Sequence, residues 1–294
     1  MDLPMEIRLM ILKGTTASHG GSLLKLSTVC VQWQEFFEKI VFTNTKLKSF
    51  SDIRWCARMM TGRRKSLLQL IWLHVKLWTY NCGVCQSEES AAEAAANSKT
   101  FSTRLLQLLD ILSTWDIKQN LTLQLSAAFP NDTSHCFGPL IGGQSSWAEP
   151  TFHKAYFTQE RRYVGSQRRR LGNLLDFDVG NRAIIPEIRE TMNFVINRRF
   201  QRSLSSGALM NVLRCLPYLE EIVYEPSRGV DFADDIARIS AIITLFIMLP
   251  RRCKSFNSGR KPISTGTRSS ANETQNLSRW WRPNTGILLW LLTH

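Results

Sequence analysis

Apolar residues recur at three- and four-residue intervals through the start of the chain, and this spacing constrains the fold more than any other feature. They stand at Leu3, Ile7, Ile11 and Leu12, then at Leu23, Leu26, Val29, Cys30 and Trp33. That periodicity places them on one stripe of each of two short amphipathic helices. Asp2 suits the cap of the first helix, Pro4 its first turn, and Glu6 the positive end of its dipole. A polar, glycine-rich break from Lys13 to Ser22 separates the two. So small an apolar module cannot bury both sides of its helices alone, and a partner surface for the remaining side is expected. Trp33 reads either as a central anchor on that partner or as a core tryptophan within the module.

The Leu3-Pro4-Met5-Glu6-Ile7 start and the Leu26-Ser27-Thr28-Val29-Cys30-Val31-Gln32-Trp33 end resemble the F-box. The chain behind them looks like the F-box proteins of filamentous fungi that carry a degenerate leucine-rich region. The resemblance covers residues 3 to about 45, and the glycine-rich break departs from its pattern. It implies a three-helix motif that docks on the Skp adaptor of a cullin-RING ubiquitin ligase and leaves the downstream region to hold a protein substrate for ubiquitination. Carried over by position, the adaptor-binding residues are Leu3, Pro4, Ile7, Ile11 and Leu12, then Leu26, Val29, Cys30 and Trp33. Some of these must instead hold the helices together.

Downstream, helical and period-two patterns alternate. A helix is expected over Phe50 to Met60, then a strand over Leu70 to Trp78 with Ile71, Leu73, Val75 and Leu77 on one face. A second unit pairs a helix over Thr103 to Leu112 with a strand over Leu121 to Leu125. A third pairs Ala208 to Leu216 with Leu219 to Tyr224, and its Leu216-Pro217-Tyr218-Leu219-Glu220-Glu221-Ile222 looks like a leucine-rich-repeat step. Such units stack because none buries its apolar face alone, leaving a concave strand side for a partner. The intervals between these strands far exceed those of regular repeats, so insertions are expected. Cys82 to Lys99 and Phe129 to Ala148 read as mobile loops.

The expected fold class is therefore α+β or α/β, a three-helix F-box at residues 1–45 and an irregular leucine-rich-like substrate-binding region at 46–226. A basic tail at 227–294 carries no repeat pattern where the resemblance implies further units. It reads as a disordered or aberrant ending, and a truncated, nonfunctional family member is one alternative.

Nothing in the sequence argues for an enzyme, and no cofactor is expected. No glycine set forms a phosphate loop and no serine sits in a Gly-x-Ser-x-Gly turn. Cys82 and Cys85 have zinc-knuckle spacing, but a structural zinc needs four ligands and no second pair stands at a familiar distance, so a turn with two reduced thiols is the simpler reading. His19, His74, His135, His153 and His294 follow no triad or metal pattern. Seven cysteines scattered over 294 residues do not look like a disulfide framework.

The formal net charge of +13 raises nucleic-acid binding as an alternative. From residue 251 onward, Arg251, Arg252, Lys254, Arg260, Lys261, Arg268, Arg279 and Arg282 face Glu273 alone. Arg161, Arg162, Arg168, Arg169 and Arg170, and further on Arg198, Arg199 and Arg202, form short groups that a solvated face explains equally well. No membrane span is expected, since the best apolar run, Ile239 to Leu249, ends at Pro250 and reads as a buried element. Glu6 and Arg8 interrupt the first apolar stretch, so no secretory signal is expected and the cytoplasm or nucleus follows. The expected function is that of an F-box substrate-recognition adaptor. A non-ligase F-box scaffold is a further alternative.

Overall fold

A computed structural model describes residues 5–18, 23–81, 83–85, 87–115, 120–132, 169, 173–180, 186–189, 191–197, 200, 202–225 and 255–257. The chain begins with helices α1 (Met5–Ser18), α2 (Leu23–Leu26) and α3 (Val31–Thr43). Strand β1 (Asn44–Leu47) follows α3 without a loop, then come α4 (Phe50–Met59), α5 (Arg63–Leu67) and β2 (Leu70–Lys76). Next are α6 (Ala91–Leu112), β3 (Leu121–Ala128), β4 (Thr191–Ile196), α7 (Ser206–Arg214), β5 (Glu221–Tyr224) and β6 (Ser255–Asn257).

The strands form one six-stranded sheet in chain order, β1 to β6, and every pair is parallel. In a sheet ordered this way each crossover steps in the same direction, and the right-handed rule sends the intervening helices to the same side. The alternation of side chains agrees. Thr45 and Leu47 of β1, Ile71, Leu73 and Val75 of β2, Leu121, Leu123 and Leu125 of β3, Phe194 and Ile196 of β4, and Ile222 and Tyr224 of β5 are buried. The apolar members of that set share one core with Ile53 and Cys56 of α4, Phe101, Leu105, Leu108 and Leu109 of α6, and Leu209 and Val212 of α7. The opposite strand face carries no such apolar set and is half-buried or exposed along most of its length.

Local chemistry sets the helix starts. Ser49 Oγ accepts from the Asp52 amide at 3.2 Å while Asp52 Oδ2 accepts from the Ser49 amide at 2.9 Å, a reciprocal cap on α4. Ser90 and Glu93 do the same for α6, at 3.3 and 2.8 Å. That second cap moves the start of α6 back to Ala91, so the stretch from Cys82 to Lys99 is not a single loop. Its Ala-rich second half is helix, in keeping with the helix propensity of alanine. The first helix likewise continues to Ser18, through the first half of the polar break, with Thr15 Oγ1 and Thr16 Oγ1 returning to the carbonyls of Ile11 and Lys13.

Other bounds move too. β2 ends at Lys76, and Trp78 lies beyond it with its amide donating to Asn97 Oδ1. β3 runs to Ala128 and α7 ends at Arg214. Three strands stand where none was expected: β1, β4 in the long interval before α7, and β6 inside the stretch read as a tail from 227. β6 pairs with β5, Ile222 opposite Phe256, and Met1–Ser258 form one compact unit. The apolar run Ile239 to Leu249 and nearly all of the loop Phe129 to Ala148 lie outside the described residues.

Beyond the C-terminal ends of β2, β3 and β4, a buried polar cluster ties the loops together. Arg202, fully buried, donates to Glu89 Oε2 at 2.5 Å, to the Asn173 carbonyl at 2.9 Å and to the Arg169 carbonyl at 3.1 Å. Glu89 also accepts from Asn97 Nδ2 and Asn173 Nδ2. Arg169, 2% exposed, spans the Ser87 and Glu88 carbonyls and Glu93. Tyr80 donates to Asp132 Oδ1 at 2.6 Å under the Arg169 guanidinium. Two of the arginines in the basic groups thus lie inside the molecule as hydrogen-bonded anchors. Arg161, Arg162, Arg168, Arg170, Arg198 and Arg199 lie outside the described residues.

Candidate functional site

Two surfaces of the described residues have chemistry to offer. The first is the open face of the sheet. In β2 the odd-numbered residues from Ile71 to Val75 fill the core, so Leu70, Trp72, His74 and Lys76 point the other way. Register extends this into rows across the strands: Lys46, Trp72, Gln124, Val195 and Val223 form one, and Asn44, Leu70, Thr122, Asn193, Glu221 and Ser255 its neighbour.

Trp72 is held firmly in that face. Its Nε1 donates to Ser126 Oγ at 2.6 Å, and the Lys46 ammonium sits 3.2 Å from the centre of its ring. His74 Nδ1 lies 2.9 Å from the same Ser126 oxygen. Burial, then the like charges of Lys46, Lys48 and Lys76, hold the His74 pKa below the usual histidine value of 6.5. The ring is therefore neutral at pH 7, and the Ser126 hydroxyl proton is free to point at Nδ1 while its oxygen accepts from the indole. Further along, Asn193 Nδ2 donates to Asn120 Oδ1 at 3.1 Å and to Thr122 Oγ1 at 3.2 Å.

The second surface belongs to α1, α2 and α3. Seven of the ten large apolar residues exposed among the described residues are here: Ile7, Leu9, Met10, Ile11, Val29, Val31 and Ile40. Helical spacing orders them. Arg8 reaches Gln32 of α3, and Leu12, four residues on, is buried, so these define the inward side of α1. Ile7, Met10 and Ile11 then share the outward side, with Met10 68% exposed. Of the residues expected to face an adaptor, Ile7, Ile11, Val29 and Cys30 are exposed, and Leu26 and Trp33 are half-buried. Leu12 is taken up by the molecule's own interior. Leu3 and Pro4 lie outside the described residues. Trp33 packs edge-on against Phe37 with ring centres 5.5 Å apart, which ties one end of it to the interior of the module.

Glu38 fixes this helical surface to the sheet domain. It is buried, accepts from Arg64 at 2.7 Å and Arg63 at 3.0 Å, and receives Gln34 Nε2 at 3.1 Å. Arg63 also reaches Glu35 at 2.9 Å, and Arg64 stacks over Phe42. This network ties α3 to α5, while α1 meets α3 through Arg8 and Gln32 at 3.4 Å.

Of the zinc-knuckle pair, Cys85 is buried in a turn and Cys82 lies outside the described residues. Among the described residues no three His, Cys, Asp or Glu side chains gather as a metal site requires, and no helix is long and apolar enough to cross a membrane. His19, His135, His153 and His294 lie outside the described residues. The sequence reading missed Met10 and Val31 as surface residues, because helical spacing shows which residues share a side but not which side is covered. No protein-family model, curated protein or solved structure matches the chain.

Proposed function

We propose that the chain is the substrate-recognition subunit of a Skp-cullin-F-box ubiquitin ligase, held to the Skp adaptor by its N-terminal helices. The carrying observation is the exposed apolar side of α1 with Val29 and Val31, standing on residues that resemble the F-box. Exposed apolar side chains gathered in one region of a water-facing protein mark an interaction site. The adaptor would take Ile7, Met10, Ile11, Val29 and Cys30, with Trp33 reached at its exposed edge, while Leu12 stays in the module.

In this reading the sheet is an irregular leucine-rich-like array, supported by parallel strands in chain order with helices on one side. Its open face holds the protein substrate. The chain performs no bond chemistry of its own. It raises the local concentration of a bound substrate beside the conjugating enzyme that the cullin brings. The cytoplasm or nucleus is the compartment that this partner set implies.

Co-purification of the Skp adaptor with wild type and with the pair Ile7→Asp and Met10→Asp tests the reading. Adaptor retained by wild type and lost by the folded variant supports it. Failure of wild type to retain the adaptor overturns it, and adaptor retained without a cullin moves it to a non-ligase scaffold. Burial of Arg169 and Arg202 in structural ion pairs weighs against the nucleic-acid alternative, because both are spent on contacts inside the molecule.

A further inference from the structure

We infer that the open sheet face over β1, β2 and β3 takes an extended, Asp/Glu-rich segment of a partner protein, with its carboxylates at Lys48 and Lys76, beside the Lys46 ammonium held over the Trp72 ring. This deepens the proposed substrate surface and rests on the reading of that face as the partner side.

Charge is the first argument. The open-face positions of these strands are Asn44 and Lys46 on β1, with Lys48 next in the alternation, then Leu70, Trp72, His74 and Lys76 on β2, and Thr122, Gln124, Ser126 and Ala128 on β3. They carry three lysines and no carboxylate. The acidic side chains at matching positions are Glu221 on β5, two strands beyond β3, and Glu225 just past the end of β5. The face is therefore polarised from basic at β1 to acidic at β5, and an acidic segment finds complementarity at one end only.

Spacing is the second. Side chains two apart on a strand repeat at about 6.6 Å, the same interval as in an extended partner segment. Lys46 on β1 with Lys48 just past its end, and His74 and Lys76 on β2, thus meet alternate carboxylates of a chain lying along them. Trp72, fixed by Ser126, holds the Lys46 ammonium over its ring, so that charge is in place before binding. Gln124 and Thr122 add uncharged polar contacts.

A single-stranded nucleic acid fits this face less well. Such ligands stack successive bases on successive aromatics, and Trp72 is the one aromatic among these open-face positions. Glu221 and Glu225 would also repel the phosphates of a strand continuing across the sheet.

The experiment is fluorescence anisotropy of a labelled oligoglutamate peptide with the intact chain, run with unlabelled single-stranded DNA as competitor. Lys48 and Lys76 are both exposed, so Lys76→Glu and the neutral pair Lys48→Gln with Lys76→Gln leave the fold in place, which circular dichroism checks. Salt-sensitive binding that weakens about tenfold in Lys76→Glu and by a smaller factor in the neutral pair is the expected result. Equal binding by wild type and both variants places the peptide elsewhere on this basic chain and overturns the inference, as does no binding at all. Displacement by DNA at far lower concentration than by peptide, lost in the same variants, replaces the acidic segment with nucleic acid and overturns it too. The Ile7→Asp and Met10→Asp pair is expected to bind oligoglutamate like wild type, so failure of adaptor binding and failure of this inference are read separately.

Discussion

Arg202 and Glu89 face each other across 2.5 Å with neither side chain reaching solvent, joining the chain after β4 to the approach to α6. Each charge is affordable there only because the other is present and because Asn97, Asn173 and the Arg169 carbonyl satisfy the remaining donors and acceptors. Removing one partner strands a buried charge. Arg202→Ala is expected to cost about 3 to 5 kcal/mol in urea unfolding, and the pair Arg202→Met with Glu89→Leu markedly less than the single change. A double variant as unstable as Arg202→Ala would show that packing, not the stranded charge, sets the loss.

Glu38 makes stability depend on acid. Burial alone would raise its pKa, but hydrogen bonds from Arg63, Arg64 and Gln34 and the Arg64 charge more than reverse that, leaving it below 4.5. A carboxylate with a lowered folded-state pKa adds stability above its unfolded value, and that share is lost as pH falls through the folded one. Glu93, held down to about 2 chiefly by Arg169, and Asp52 act in the same direction. Wild type is therefore expected to lose stability progressively below about pH 4.5, and its advantage over Glu38→Gln to shrink between about pH 7 and pH 3. An advantage that stays constant over that range in urea titrations would contradict the assignment.

The sequence carried the periods but not the covering. Alternation at Ile71, Leu73 and Val75 and at Leu121, Leu123 and Leu125 predicts two core strands, and both form. β4 escapes the same test because its register with β3 shifts between Leu121 and Thr122, so Thr191 and Phe194 face the core with two residues between them. β1 and β6 are too short to show a period. The start of α6 was written in Ser90 and Glu93, a spacing that signals a capped helix even where Ser, Glu and Ala suggest a loop. Arg169 and Arg202 could not be placed from sequence, since a buried arginine differs from a solvated one only by partners distant in the chain. Ser90→Ala is expected to cost about 1 kcal/mol through loss of this cap.

Leu12 and Met10 stand two residues apart in α1 with opposite surroundings, 6% and 68% exposed. Leu12→Ala removes interior contacts and is expected to destabilise by about 2 kcal/mol, whereas Met10→Ala should stay within about 0.5 kcal/mol. Adaptor affinity should respond in the other order, falling with Met10→Ala in a protein that melts like wild type. Thermal melts and adaptor pull-down on the same two variants check both halves. Equal melting shifts would mean that α1 is not seated as described.

His74 reports on the charge of the open face. Its pKa lies below 6.5, first from burial and then from Lys46, Lys48 and Lys76. Ser126 adds no charge, so these lysines are the charged groups that set the electrostatic part of the shift. Replacing Lys48 and Lys76 with glutamine is expected to raise the pKa toward 6.5 without reaching it, because burial remains. The sign for stability follows: a depressed histidine pKa means the unfolded chain binds the proton more readily, so this site favours unfolding as pH falls through about 6.5. An acidic partner seated on the same face supplies the opposite charge and is expected to raise the pKa, which makes its binding tighter at about pH 5.5 than at about pH 7.5. Nuclear magnetic resonance titration of the imidazole, free and with oligoglutamate, measures both shifts. A His74 pKa unmoved by the lysine changes would mean that the three ammonium groups do not converge on this ring.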